Sequence, residues 1–261
     1  MTVSFDFARP KADVIPMVRP VVAQAYDYPA KFQSTPHFHN CGQLVFASRG
    51  IMTVLTENGI WVVPPQRSVW VPANVPHIIQ TSTAVKLRTL YVDPAYAPRL
   101  PNQCCVLNVP PLLRELILKS MEVPSQYELG GSGERLMSVL IDEVSSVSAD
   151  VRRLRLAQPS DPRVRGIVEA ILKNPADPRT RDDWAQSIGA SSRTIDRIFT
   201  SESGMGFGGW KRQAVLLEAM RRLAEGESVT NVALDVGYDS PSAFIAMFRR
   251  TLGVTPSRLF K

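Results

Sequence analysis

The strongest constraint on the fold of this chain is a helix-turn-helix pattern near the C-terminus, in residues 235–256. Ser240 has the side chain of a helix N-cap, and Pro241 follows at the first helical position, where its missing N–H costs nothing. Three apolar residues then recur at i, i+3 and i+4 and predict one buried stripe: Phe244, Met247 and Phe248. Gly253 has the position of a C-cap. In such a motif the second helix would lie in a DNA major groove.

A second copy of the pattern lies upstream. The first half of the motif repeats at an offset of 48, since Ala185, Ile188 and Gly189 match Ala233, Val236 and Gly237. The second half repeats at an offset of 49, since Ile195, Ile198, Phe199 and Gly204 match Phe244, Met247, Phe248 and Gly253. The additional residue falls in the turn, where insertions are tolerated most easily. The repeat predicts tandem helix-turn-helix units.

Composition sets broader limits. With 261 residues the chain can form two domains, each with its own core. A net charge of +6 favours a polyanionic partner. No apolar run approaches the roughly 20 residues of a membrane span, and the N-terminus lacks the features of a secretory signal. Three cysteines, two of them adjacent, argue against a disulfide framework. We therefore expect a cytoplasmic protein without a membrane partner.

The N-terminal part has short β-like runs separated by turn residues. Their spacing of about 8–12 residues, without an intervening helix, predicts a small antiparallel barrel or sandwich. Glu57-Asn58-Gly59 is a strong hairpin signal between two of the runs. The predicted strands are Val21–Tyr26, Gly42–Ser48, Met52–Thr56, Gly59–Val63, Ser68–Val71, His77–Thr81 and Lys86–Tyr91.

All three histidines of the chain fall in this region, at His37, His39 and His77. Alternation along a strand places His37 and His39 on one face, and Gln43 follows four residues later. Three imidazoles that line a barrel could hold a divalent metal such as Zn, Mn or Fe. In the alternative, these histidines only line the barrel or lie near strand ends.

The spacing resembles the cupin fold, whose first motif reads H-x-H-x-x-x-E and whose second reads P-x-G-x-x-H. This resemblance implies that Gln43 is a fourth metal ligand. Two residues depart from the family pattern, because Gln43 replaces its Glu and Asn74 replaces its Gly. A neutral amide binds a divalent cation less well than a carboxylate does. A barrel of this kind is also the natural pocket for a small-molecule effector, with aromatic surface from Phe46, Trp61, Trp70 and Tyr91. In the alternative, most of these aromatic residues belong to the core, and the sequence assigns none of them to a ligand.

The pattern after residue 110 is helical. We divide the chain into a barrel (1–110), a helical hairpin (111–148), a polar linker broken by proline (149–162) and an all-α domain (163–261). The hairpin could cover the barrel, or it could pair with its own copy in a homodimer. The predicted helices of the last domain are Arg163–Lys173, Thr180–Ser187, Ser192–Ser201, Phe207–Glu225, Val229–Asp235, Ser240–Thr251 and Pro256–Phe260.

The C-terminal domain resembles the AraC/XylS-type bacterial transcriptional regulators. The resemblance rests on the tandem repeat and on its closing pattern, Gly237-Tyr238, Ser240, Phe244, Phe248 and Gly253-Val-Thr-Pro256. It implies two recognition helices in successive major grooves, about 34 Å apart. It also implies that the N-terminal domain binds an effector or dimerises.

The candidate DNA contacts lie opposite the buried stripe of each second helix. In the first repeat they are Arg193, Asp196, Arg197 and Thr200. The two arginines can each bind guanine bidentately, and Asp196 could accept from cytosine or could orient an arginine. The base-reading positions of the family match Arg193, Asp196 and Arg197. The second repeat offers Ser242, Ile245, Ala246, Arg249 and Arg250, which supply few hydrogen bonds to bases. In the alternative, these are solvated faces without a DNA contact.

The predicted fold is therefore a two-domain α+β chain, with a cupin-like barrel and α-hairpin followed by tandem helix-turn-helix motifs. The predicted function is a sequence-specific DNA-binding transcriptional regulator, not an enzyme, controlled by a small-molecule effector in the barrel. The competing prediction is a cupin metalloenzyme, an isomerase or dioxygenase, with an appended DNA-binding domain. Gln43 in place of Glu argues against the enzyme. In a third interpretation, the barrel is only a dimerisation module.

Overall fold

A computed structural model describes residues 7, 9–64, 66–96, 100–147, 149–150 and 154–260. The chain divides into two compact units, an N-terminal one formed mainly by residues 6–152 and a C-terminal one formed mainly by residues 153–261. The first is rich in β-sheet and the second is helical, so the predicted two-domain α+β fold is confirmed. In the described ranges, no helix has both the length and the apolar character needed to cross a bilayer.

The N-terminal unit contains eleven short strands among its described residues. They are β1 (Lys11–Ala12), β2 (Val21–Tyr28), β3 (His37–Phe38), β4 (Gly42–Arg49), β5 (Met52–Thr56), β6 (Gly59–Val63), β7 (Arg67–Val71), β8 (His77–Thr81), β9 (Val85–Val92), β10 (Cys105–Asn108) and β11 (Ala149–Asp150). Every predicted strand is present, with its ends shifted by at most two residues. The strands β1, β10 and β11 were not predicted, and the strand expected at His37–His39 is the two-residue β3.

These strands form two sheets. One has the order β1-β3-β8-β5-β6 and the other has the order β11-β10-β7-β4-β9-β2. Apart from the parallel pair β1–β3, the assigned pairings are antiparallel. In β4 every residue from Gly42 to Ala47 is buried, because both faces of this central strand are covered. That double burial explains its continuous apolar run.

A helical pair covers the outer face of the second sheet. It consists of α1 (Pro111–Ser120) and α2 (Ser132–Ser146). Leu113 and Ile117 of α1 join Met137, Leu140 and Val144 of α2 in one buried cluster with sheet residues. Phe46 and Trp70 belong to the same cluster, in agreement with the alternative that these aromatic residues are part of the core. Because side chains alternate along β4, Leu44 and Phe46 face the helices and Gln43 lies on the opposite face.

The C-terminal unit is built around one long helix. Its helices are α3 (Arg165–Lys173), α4 (Arg181–Ser187), α5 (Ser192–Ser203), α6 (Phe207–Ala224), α7 (Val229–Asp235), α8 (Pro241–Leu252) and α9 (Pro256–Leu259). All seven predicted helices are present, with small differences at their ends. Trp210 of α6 is fully buried, and its indole Nε1 donates a hydrogen bond to the Ala157 carbonyl at 2.6 Å.

The segment predicted as a linker, residues 149–162, contains two short strands and several buried residues. Ala149–Asp150 forms β11, which pairs with β10, and Arg155–Leu156 forms a further short strand, β12. Leu154, Leu156 and Ala157 are buried. Residues 151–153 of the predicted linker lie outside the described residues.

Candidate nucleic-acid interface and metal centre

The first helix-turn-helix consists of α4 and α5, and local side chains set both helix starts. Thr180 and Asp183 form a reciprocal capping box, in which each side chain accepts a backbone N–H of the other residue. Ser191 caps α5 by accepting from the backbone N–H of Thr194 at 3.1 Å. Between the helices, Gly189 has a φ of 64°, a conformation that glycine adopts without strain.

The recognition helix α5 has a buried face and an exposed face. Ile195, Ile198 and Phe199 are buried, as the periodicity predicts. On the opposite face Arg193, Arg197 and Thr200 are exposed. Within the described ranges, neither arginine has a hydrogen bond or an ion pair, so both guanidinium groups remain available for phosphate or base edges.

Asp196 is placed differently from the two arginines. Its Oδ1 accepts a hydrogen bond from the backbone N–H of Phe207 at 3.0 Å, and its Oδ2 pairs with the Arg181 guanidinium. Both carboxylate oxygens are thus engaged within the C-terminal unit. Sequence reasoning allowed for an arginine partner but did not identify Arg181, which lies fifteen positions away on α4.

The second helix-turn-helix consists of α7 and α8. Ser240 caps α8 by accepting from the backbone N–H of Ala243 at 3.3 Å, and Gly253 ends the helix with a φ of 79°. The predicted stripe is buried: Phe244, Met247 and Phe248. On the other side the candidate contacts Ser242, Ala246, Arg249 and Arg250 are exposed, and Ile245 is partly buried.

Lys211 of α6 illustrates a contact that the sequence did not reveal. Its ammonium donates to the backbone carbonyls of Asp177 and Arg179, at 2.5 Å and 3.3 Å. Burial lowers the pKa of this lysine. This side chain therefore stabilises the loop before α4.

The three histidines of the N-terminal unit come together as predicted. His37 on β3 is directly opposite His77 at the start of β8, and His39 follows two residues after His37. One ring nitrogen from each lies within 4.8 Å of the others. The ring of Tyr91, from the other sheet, meets His39 edge-on with centroids 5.0 Å apart. The cluster therefore lies where the two sheets approach each other.

Backbone carbonyls fix the tautomer of each imidazole. The Nδ1 atoms of His37, His39 and His77 lie 2.8, 2.8 and 2.9 Å from the carbonyl oxygens of Thr35, Asp13 and Val75, respectively. Because a carbonyl can only accept, each Nδ1 must carry the hydrogen. In the neutral rings the lone pair is then on Nε2, the arrangement typical of histidine metal ligands.

The two deepest histidines have no partner for these lone pairs. His39 and His77 are 3% and 1% exposed, and their Nε2 atoms have no hydrogen bond within the described ranges. Burial lowers the pKa of His39 and lowers that of His77 to about 3. Both rings are therefore neutral near pH 7, as a metal ligand requires.

Gln43 adjoins this cluster from β4. It is buried and lies beside His39, and its Oε1 has no hydrogen-bond partner among the described residues. Its amide Nε2 donates to the Tyr91 hydroxyl over a long 3.4 Å. Three unpartnered buried acceptors, on His39, His77 and Gln43, thus occur in one cluster. Since unpaired buried polar atoms are costly, this donor set fits a bound cation.

A separate cavity of about 280 Å³ lies within the N-terminal unit, beside α2. Its walls include Tyr96, Tyr127, Met137 and Ile141, together with the carboxylates of Glu134 and Asp142. The sequence placed an effector pocket inside the barrel, and nothing in the sequence pattern indicated this second position, because the cavity forms only where the hairpin packs on β2.

Comparisons with known proteins agree with this architecture. Residues 20–128 match the AraC-like ligand-binding domain, and residues 184–261 match a helix-turn-helix domain. The chain is 37% identical over 225 residues to the HTH-type transcriptional regulator NimR of Escherichia coli K12, which covers 86% of this chain and 81% of that protein. It is 32% identical over 118 residues to RipA of Corynebacterium glutamicum, a match that covers 43% of this chain and 36% of RipA.

Among solved structures, the DNA-binding domain of AdpA in complex with a target DNA is similar. The identity is 33%, with 38% of this chain and 89% of that chain covered and a TM-score of 0.35. NimR and RipA are both named as transcriptional regulators, which supports the regulator over the competing metalloenzyme. This chain belongs to the AraC-type helix-turn-helix transcriptional regulators, with an AraC-like ligand-binding domain at its N-terminal end.

Proposed function

We propose that this regulator reads its DNA site chiefly through Arg193 and Arg197 of α5. The observation that carries the proposal is their exposure on a capped helix whose opposite face is buried. A guanidinium can bind guanine O6 and N7 through two parallel hydrogen bonds. Thr200 continues the same face, while Asp196 holds the helix in place.

The second recognition helix has a different role in this proposal. Ile245 and Ala246 can contact thymine methyl groups, and Ser242 offers one hydroxyl. Arg249 and Arg250 are exposed near the end of α8 and suit phosphate contacts, which add affinity and salt dependence without base preference. Helix α8 therefore positions the protein, and α5 supplies most of the discrimination.

Fluorescence anisotropy with a cognate operator tests this division. Arg197→Ala should cost about 1–3 kcal/mol of specific binding and relax preference at one base pair. Arg165→Ala is the matched control, because Arg165 is an exposed arginine at the start of α3, outside both motifs. Unchanged affinity of the Arg197 variant would remove this residue from the interface.

For the N-terminal unit, we propose a small-molecule effector and a divalent metal ion held by His37, His39 and His77, with Gln43 adjacent. The sequence pattern allows Zn, Mn or Fe, and a centre of imidazoles favours zinc over manganese. The support is that the Nε2 atoms of His39 and His77 are buried without a hydrogen-bond partner, while backbone carbonyls bind their Nδ1 atoms and so fix the tautomers. Elemental analysis of the purified chain should give one equivalent of metal, and its absence after incubation with zinc would end the proposal.

We also propose that the regulator acts in the cytoplasm as a homodimer. The hairpin covers the sheet with one side but leaves Leu112 56% exposed and Val139 48% exposed. Such apolar side chains suit the self-complementary contact of a two-fold dimer. Sedimentation equilibrium of the full chain that showed only monomer would overturn this part.

A further inference from the structure

We infer that the histidine centre, once it holds a zinc-type ion, captures a small anionic ligand such as an organic carboxylate. This inference rests on the metal site proposed above and adds the class of ligand that the site takes. It follows from the neutrality of the metal-binding side chains, from the absence of a further protein ligand among the described residues, and from the accessibility of one side of the cluster.

The side chains that could bind the ion, or lie beside it, are all neutral. Each imidazole donates Nδ1–H to a carbonyl and presents a neutral Nε2, and Gln43 presents an amide rather than a carboxylate. A divalent ion would thus bring two uncompensated positive charges beside His39 and His77, which are almost fully buried. Burying such charge without a counter-ion is unfavourable, so the loaded site attracts an anion strongly.

The described part of the chain does not supply that anion as a ligand. No fourth His, Cys, Asp or Glu joins the group there. The carboxylate of Asp13 is close, with Oδ2 3.6 Å from His39 Nδ1, but it lies behind the ring and is largely exposed. It can polarise the imidazole from that position, but it faces the wrong nitrogen to share the ion.

The cluster is accessible from one side. His39 and His77 are buried, whereas His37 is only partly so, and an external ligand can therefore approach past His37. Next to His39, the Gln43 amide donates to the Tyr91 hydroxyl at 3.4 Å, so both polar groups lie beside the cluster. The three imidazoles form the group that could hold the ion, and Gln43 lies beside it, so one position stays open. Three neutral protein ligands with one open position are typical of zinc centres that bind external molecules, whereas structural zinc sites are closed by four protein ligands.

The test uses the full-length chain loaded with Co²⁺, whose visible absorption reports changes in the ligands of the ion. Titration with azide, a small anionic probe, should change the spectrum to a saturable end point, and acetate should compete with azide. Gln43→Glu places a carboxylate of the same size beside the ion. This variant should keep the metal and bind azide at least about tenfold more weakly.

Tyr91→Phe provides a second variant, since it removes the hydroxyl that accepts from Gln43 without changing charge. It should weaken azide binding severalfold and leave the stoichiometry of cobalt unchanged. Circular dichroism of both variants checks that they fold. If cobalt binds and azide leaves the spectrum unchanged, the anion inference fails while the metal proposal stands. If cobalt does not bind the wild-type chain, both the metal proposal and the anion inference fail. Equal azide affinity in Gln43→Glu and wild type would also overturn the inference.

Discussion

Asp196 accepts a hydrogen bond from the backbone N–H of Phe207 at 3.0 Å, and so the recognition helix α5 holds the first residue of α6. The second oxygen of the same carboxylate pairs with Arg181 in the first turn of α4. One side chain therefore connects three helices of the C-terminal unit. This arrangement gives Asp196 a positioning role beside the base-reading role that its place on α5 predicts.

Removal of this carboxylate should lower the stability of the protein without changing which DNA sequence it prefers. We expect Asp196→Ala to lower the free energy of unfolding by about 0.5–2 kcal/mol, the range for loss of a side chain that caps a helix start. Operator affinity should fall by a similar factor at every sequence. Urea denaturation and binding to a set of single-base operator variants measure the two effects.

Asp196→Asn is the matched control for that experiment, because its Oδ1 can still accept from Phe207 while the ion pair with Arg181 is lost. It should recover most of the stability. The positioning role would be contradicted if Asp196→Ala lost its preference at a single base pair while its stability was unchanged. That result would favour direct contact between Asp196 and cytosine.

The two turn glycines provide a matched pair for a second prediction. Gly189 and Gly237 occupy equivalent turns with φ angles of 64° and 90°. Alanine in this left-handed region costs about 1–2 kcal/mol. A Cβ at Gly189 would have no neighbour within 4 Å in the described structure, whereas at Gly237 it would lie 3.3 Å from Ala176 Cα.

Gly237→Ala should therefore destabilise the protein more than Gly189→Ala does. Thermal unfolding of the two variants beside wild type measures the difference, which reflects the backbone contact because the φ penalty is common to both. Equal losses, or a larger loss at Gly189, would show that crowding by Ala176 is unimportant.

Local signals explain which parts of the fold were predictable. The helix Val229–Asp235 agrees at both ends with its prediction, because Ser228 caps it and Gly237 follows it in the left-handed region. The two-residue strand β1 carries no periodicity and depends on its pairing with β3. The sequence does not predict it for that reason.

Tertiary contacts explain the remaining differences. Because β4 is covered on both sides, its sequence does not show which face meets the hairpin, and only the structure places Phe46 on that face. The histidine cluster was predictable, since its spacing is a property of the sequence. The pairs Asp196–Arg181 and Lys211–Asp177 were not, because each joins helices or loops whose approach depends on the packed unit.

Metal loading should stabilise the N-terminal unit. A ligand that binds only the folded state at a free concentration 100 times its Kd adds about 2.7 kcal/mol of stability. We expect zinc to raise the Tm of chelator-treated protein and magnesium to leave it unchanged, because imidazoles favour zinc.

The substitutions His37→Ala and His77→Ala should each abolish the zinc effect. Differential scanning calorimetry of these variants, with and without zinc, provides the measurement. A zinc-induced rise that persists in both variants would place the ion elsewhere in the chain.

Selection of bound sequences from a random double-stranded DNA library tests the central claim most directly. We predict two enriched blocks about one helical turn apart, with a strong guanine preference in one and weak preference in the other. Arg197→Ala should erase part of the strong block and leave the weak one unchanged. Equal preference in both blocks, or a strong block unaffected by loss of Arg193 and Arg197, would contradict the proposed reading of DNA by α5.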